Sequence, residues 1–166
     1  MTNQQNATGA TAANINHIPF DTDAGVAHRA AIGLIVLSTD QTIEHEFRFI
    51  FKQQGVAYYE SRIPNSNRIT PETLKEMEKL IEDQTDVILP GLPLDVVAFG
   101  FTSSSMVIGE EMVFTKIRNK RPDAACTTPI TAAFAAFDAV DAKRIGVLTP
   151  YRQEINDFMR DYIAER

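Results

Sequence analysis

Ala31-Ile32-Gly33-Leu34-Ile35-Val36-Leu37 is a continuous apolar run with no polar residue at alternate positions. A strand with one wet face alternates apolar and polar side chains, whereas a strand covered on both faces does not, so this run reads as a buried strand of a parallel sheet. Ser38-Thr39-Asp40 follows at once and offers short side chains that cap a helix, and Ile43, Phe47, Ile50 and Phe51 then form an apolar helical stripe. A buried strand running straight into an amphipathic helix is one βα unit.

Outward from this unit the pattern repeats. Gly55 ends the first helix, and Val56 to Ile63 reads as a second strand. Thr70-Pro71-Glu72 starts a helix, because Thr caps, Pro suits the first turn and Glu faces the positive end of the helix dipole. Leu74, Met77 and Ile81 continue its buried face. Asp95 to Phe101 is the third strand, and a Ser-rich turn then leads a helix to about Asn119. Asp123 to Cys126 reads as a short fourth strand, and Thr128-Pro129 opens an Ala-rich helix to about Asp141. Arg144 to Thr149 reads as a fifth strand, and Pro150-Tyr151 leads into a last amphipathic helix carrying Ile155, Phe158, Met159 and Tyr162.

Alternating strands and helices predict an α/β fold, Rossmann-like or flavodoxin-like, with a parallel sheet and helices on both faces. Residues 1–30 are rich in Asn, Thr, Ala and Gln and predict a flexible tail in which His17 and His28 are solvated. Residues 31–142 form the first domain on this reading. The last βα unit, residues 143–166, either joins the first sheet or opens a second domain whose remainder is lacking.

Composition narrows the function. With 16 Lys+Arg against 22 Asp+Glu, a net charge of −6 and no basic cluster, a nucleic-acid partner is not expected. The apolar runs are too short for a membrane span. A lone cysteine, Cys126, builds no disulfide framework and fits a reducing cytoplasm, the expected location. No Cys/His cluster has metal-ligand spacing, so no metal site is expected.

Ligands of open parallel sheets sit at the carboxyl ends of the strands, which singles out three turns. Ser38 to Thr42 carries hydroxyls and amides that a polar ligand could use but neither G-x-G-x-x-G nor G-x-x-x-x-G-K, which argues against nucleotides, and simple helix capping is the favoured reading. Thr102-Ser103-Ser104-Ser105 offers more hydroxyls than a cap needs, so a carboxylate or oxyanion cradle stands beside the capping reading. Tyr151, behind Pro150, either presents its phenol to a ligand or packs. Cys126 has no basic neighbour in sequence and reads as structural. His45, between Glu44 and Glu46, reads as part of a solvated face. A receiver-type phosphoacceptor would need an acidic residue at the carboxyl end of strand three, where Phe101-Thr102 stands instead.

Four blocks, in order, resemble the aspartate/glutamate racemase superfamily: Ile32 to Val36, Val97 to Ser103, Cys126 to Ala133 and Arg144 to Tyr151. Within it the chain is similar to the branch of maleate cis-trans isomerases, arylmalonate decarboxylases and racemase-like ectoine-utilisation proteins. Leu37 to Glu44 and Tyr59 to Pro64 look most like the ectoine-utilisation members. The resemblance implies two Rossmann-like domains with a site between them, acting on small carboxylic or amino acids without metal or organic cofactor. It leaves homo-oligomer formation open. It implies that Thr102 and Ser103 bind a substrate carboxylate or stabilise an enediolate, that Tyr151 hydrogen-bonds the same group, and that Asp40 stands where maleate isomerases carry a substrate-contacting Asn. Phe101 occupies the family's first cysteine position, and Cys126 matches neither family cysteine.

Overall fold

The computed structural model describes residues 18–166. Residues 1–17, and with them most of the expected tail and His17, lie outside the described residues. Four parallel strands form one sheet in the order β2-β1-β3-β4: β1 (Ala30–Leu37), β2 (Val56–Ile63), β3 (Val96–Phe99) and β4 (Ala125–Thr127). This is the flavodoxin-like order, with the chain reversing its direction of travel across the sheet between β1 and β3. β1 lies inside the sheet, which is why its run is unbroken: Leu34, Ile35 and Val36 are wholly buried.

Side-chain alternation assigns the layers. Ile35, Val97 and Phe99 face the helices α3 (Ile81–Asp86) and α5 (Glu110–Arg118), forming one core with Ile81, Val113 and Ile117. Tyr58 points the other way and meets α1 (Ile43–Ile50), where Phe47 packs edge-on at 5.8 Å and the Tyr58 hydroxyl donates to the Glu44 carbonyl oxygen at 3.1 Å. Helices therefore cover both faces, as the unbroken apolar strand requires. Asp95 sits at the amino end of β3, where its carboxylate accepts from the Ala31 N–H at 2.7 Å.

The helices are more broken than the sequence pattern suggests. The helix predicted from Pro71 through Ile81 is α2 (Pro71–Glu76), a 3₁₀ turn over Met77–Leu80, and then α3. The helix expected to run to Asn119 is interrupted at Gly109, whose φ of +92° separates α4 (Thr102–Ile108) from α5; only glycine adopts that backbone without penalty. α6 (Pro129–Ala139) starts on a capping hydroxyl as expected, with Thr128 accepting from the Thr131 N–H.

The predicted fifth strand does not form. Arg144 to Leu148 make no backbone hydrogen bond among the described residues, and Leu148 is 99% exposed. The segment is apolar enough for a strand, but no strand edge lies beside it. Beyond it, α7 (Gln153–Ala164) buries Ile155 and Met159 against Leu74, Met106 and Ile130 in a second, smaller core. Residues 18–29 carry no helix or strand, and Ala27 packs against the main core while His28 is exposed.

Candidate functional site

The strand order reverses between β1 and β3, and the crevice outside their carboxyl ends is where open α/β sheets hold ligands. Gly100 makes the opening. Its N–H donates to the Ile35 carbonyl oxygen at 2.9 Å, and a Cβ there would lie 3.1 Å from the same oxygen and from Ile43. The chain can therefore leave β3 hard against β1 and turn at once into α4. The resulting cleft has a volume of about 360 Å³ and is lined by Leu37 and Thr39, Asn65 to Ile69, Phe101 to Ser104, and Tyr151, among others.

The hydroxyl run at the start of α4 divides into two pairs. Ser104 donates to the Leu74 carbonyl oxygen at 2.9 Å, and Ser105 donates to the carbonyl oxygen of Phe101. Both are buried and both are spent on the backbone. Thr102 and Ser103 make no side-chain hydrogen bond among the described residues, and both line the cleft. Two of the four hydroxyls hold the helix in place without capping its first turn, and the other two face the cleft.

Tyr151 reaches the same cleft from the far end of the chain. Its backbone N–H donates to the Thr149 hydroxyl at 3.1 Å, and its carbonyl oxygen accepts from the Asn156 side-chain amide at 3.1 Å. Asn156 also accepts from the Thr149 hydroxyl, so the turn is clamped onto the first turn of α7. The phenol hydroxyl has no partner among the described residues. The structure thus brings Thr102, Ser103 and Tyr151 together around one hollow.

Asp40 is not among the residues that line it. Its carboxylate accepts from the N–H groups of Thr42 and Ile43, both at 2.8 Å, and so caps α1. Arg62 holds the same loop, donating to the carbonyl oxygens of Asp40 and Leu37 at 2.9 and 3.3 Å and pairing with Glu44. Asp40 and Arg62 serve to place Thr39, which does face the cleft.

Sequence reading overlooked the loop after β2. Arg68 lines the cleft and also an adjoining hollow of about 550 Å³ that Arg152 lines as well, with Tyr151 shared between the two. Neither guanidinium pairs with a carboxylate among the described residues, and neither hollow is lined by Asp or Glu. Asn65 is held in place by the hydroxyls of Ser38 and Thr39, which donate to its side-chain oxygen at 3.0 and 3.2 Å, and its amide donates to the Ser66 carbonyl oxygen at 3.5 Å. The signal was available: by the same rule that selected the other turns, Pro64-Asn65-Ser66-Asn67-Arg68 follows the carboxyl end of a strand.

Apart from the Tyr151 phenol, the cleft wall among the described residues holds no group of the usual acid–base types: no Cys, His, Asp, Glu or Lys. Phe101 is 6% exposed and stacks edge-on against Phe99 with ring centroids 4.6 Å apart, so it is anchored in the core as well as facing the cleft. Cys126 lies in β4, away from the cleft, and burial pushes its thiol above the ordinary cysteine range. His45 is exposed, edge-on to Phe49 at 5.0 Å. No group of three or more His, Cys, Asp or Glu among the described residues could hold a metal ion, and no helix is long and apolar enough to cross a membrane.

No family model matches the sequence, and no curated protein matches it. Solved structures do. The maleate isomerase Iso of Pseudomonas putida S16 superposes with a TM-score of 0.67 at 22% identity over 82% of this chain and 59% of its own. The maleate cis-trans isomerase of Nocardia farcinica, solved bound to TRIS, gives 0.70 at 21% identity over 81% of this chain and 58% of its own. The fold is therefore shared with maleate isomerases, which agrees with the superfamily resemblance at the level of architecture. The chain spans about three fifths of the length of the solved proteins it matches.

Proposed function

We propose that this chain binds a small carboxylate in the cleft between β1 and β3, as the carboxylate-holding side of a cofactor-independent isomerase or racemase. One observation carries this reading. On a protein of net charge −6, the cleft and its neighbouring hollow present two unpaired arginines and no acidic side chain. Such a concentration of unpaired positive charge draws in anions, and hydroxyl donors then fix their orientation. Thr102, Ser103 and Tyr151 would hold one carboxylate, with Arg68 above it. In a reaction that passes through an enediolate, the same donors would stabilise the charge that develops on the carboxylate oxygens.

The likeness to maleate isomerases supports a small dicarboxylic acid as substrate. An amino acid or an ectoine-derived acid would present the same carboxylate, and so would an arylmalonate. The wall has no residue suited to taking a proton from carbon near neutral pH. Turnover on this reading draws its acid and base from residues other than those described. The unpaired apolar segment Arg144 to Leu148 fits the opening strand of a second domain that could supply them. A second reading, a catalytically silent carboxylate-binding relative, is favoured by the one feature that departs from the superfamily pattern in the cleft, the buried ring of Phe101.

Titration calorimetry with maleate and with its neutral diamide tests the proposal. Maleate should bind and the diamide should not, and the Thr102→Val, Ser103→Ala double variant should weaken maleate by about tenfold, the effect of one or two lost charge-assisted hydrogen bonds. Equal binding of the diamide, or maleate affinity unchanged in the double variant, would overturn it.

A further inference from the structure

Glu110 is 4% exposed, at the start of α5, and plays no part in the cleft. A buried carboxylate is costly unless it is paired and hydrogen-bonded, and this one is fully occupied. Thr131 donates to one oxygen, while Tyr162 donates to the other at 2.8 Å and the Arg166 guanidinium pairs with it at 2.8 Å. Burial, and then the hydrogen bond to Glu110, pushes the Tyr162 phenol up to about 12.

Tyr162 and Arg166 belong to the segment that carries Tyr151. Every other side-chain hydrogen bond of residues 149–166 stays inside that segment, running among Thr149, Tyr151 and Asn156, between Gln153 and Asp157, or between Arg160 and its two aspartates. Glu110 is thus the one hydrogen-bonded and ion-paired anchor between this segment and the rest of the described residues, beside the Arg166 guanidinium over the Phe134 ring at 4.9 Å. Apolar contact of Ile155 and Met159 supplies adhesion but little direction, since a helix can slide or roll on such a surface. A carboxylate gripped by two side chains near the end of the helix fixes its rotation and its register. At the other end, Asn156 transmits that register to the backbone of Tyr151.

From this juxtaposition we infer that Glu110 is a positioning residue for the ligand cleft: by gripping Tyr162 and Arg166 it sets α7 so that Tyr151 faces Thr102 and Ser103. The inference rests on the carboxylate-binding reading of the cleft. It predicts that loosening the anchor costs ligand affinity through Tyr151 and through nothing else.

The test is a double-mutant cycle on maleate affinity in the full chain. Tyr162→Phe removes only the hydroxyl that Glu110 grips, and Glu110→Ala removes the anchor itself. Each should weaken maleate about three- to tenfold, the worth of one misplaced hydrogen bond, while far-ultraviolet circular dichroism retains the native helical signal. In a Tyr151→Phe background the same changes should cost nothing further, because the group they position is gone. Glu110→Gln, which keeps an acceptor for Tyr162, should recover part of the affinity lost in Glu110→Ala.

Should Glu110→Ala fail to fold, Tyr162→Phe decides alone. An unchanged affinity in folded Tyr162→Phe, or an equal loss with and without the Tyr151 hydroxyl, overturns the inference while leaving the cleft intact. Maleate binding indifferent to the Thr102→Val, Ser103→Ala double variant, or no binding at all, overturns the cleft reading and this inference with it.

Discussion

Ser104 donates its hydroxyl to the carbonyl oxygen of Leu74 at 2.9 Å, tying α4 to α2 behind the cleft, while its neighbour Ser103 makes no such bond. Two adjacent serines, both buried, therefore have different jobs. Ser104→Ala leaves the Leu74 carbonyl without that donor and should lower stability by about 1–2 kcal/mol. Ser103→Ala should change stability by less than about 0.5 kcal/mol and act on ligand affinity instead. Urea denaturation of the two variants separates them, and equal losses would contradict the division.

Arg68 has no ion-pair partner among the described residues, so an anionic ligand would be its first. Arg68→Met should weaken maleate binding by about three- to tenfold, a modest effect because the guanidinium is exposed and its pairing is screened by water and salt. The wild-type affinity should also fall as salt rises, and the variant's should fall less. Calorimetry at two salt concentrations gives both slopes.

Cys126 is half-buried, with its thiol held above the ordinary range by burial. A raised pKa means a smaller thiolate fraction at neutral pH, and the thiolate is the reactive form. Labelling by a disulfide reagent at pH 7.5 should run slower than for free cysteine, and Cys126→Ala should leave ligand affinity unchanged. Rapid labelling that abolishes binding would place the thiol in the site.

Tyr162 ties stability to alkaline pH. Its folded-state pKa of about 12 lies above the ordinary 10.0, so its contribution is complete below pH 10 and is lost as pH rises through the folded value. The melting temperature should drop between pH 10 and 12, and Tyr162→Phe should flatten part of that drop. An identical profile in the variant would contradict the Glu110 pairing.

The sequence makes the sheet legible because burial leaves a one-dimensional mark. Leu34 to Val36 are apolar without alternation because both faces are covered, and Val96 to Phe99 are apolar throughout one strand over, buried on one face and half-buried on the other. The same mark misleads at Arg144 to Leu148, since periodicity reports that a segment could be buried in a sheet but not whether a partner edge stands beside it. The helix breaks at Gly109 and over Met77–Leu80 are tertiary adjustments that leave the apolar stripe intact and so escape pattern reading.

The site was readable where it follows a strand of known direction. Thr102 and Ser103 line the cleft, and so does Tyr151 although it arrives from another part of the chain. Asp40 was named on resemblance, whereas its carboxylate is engaged with two N–H groups that any residue capping α1 must satisfy. Arg68 was missed because a loop of Asn and Ser has no periodicity, and only the topology places it over the cleft.

A carboxylate entering the cleft between β1 and β3 is the central proposal. The most direct measurement is titration of the isotopically labelled chain with maleate, followed by amide chemical shifts in nuclear magnetic resonance. The cleft reading predicts saturable shifts at Asn65 to Arg68, Thr102 to Ser104 and Tyr151, with α1 and β4 unmoved. Shifts centred on Cys126 or on the outer face of α1, or none up to millimolar maleate, would contradict it.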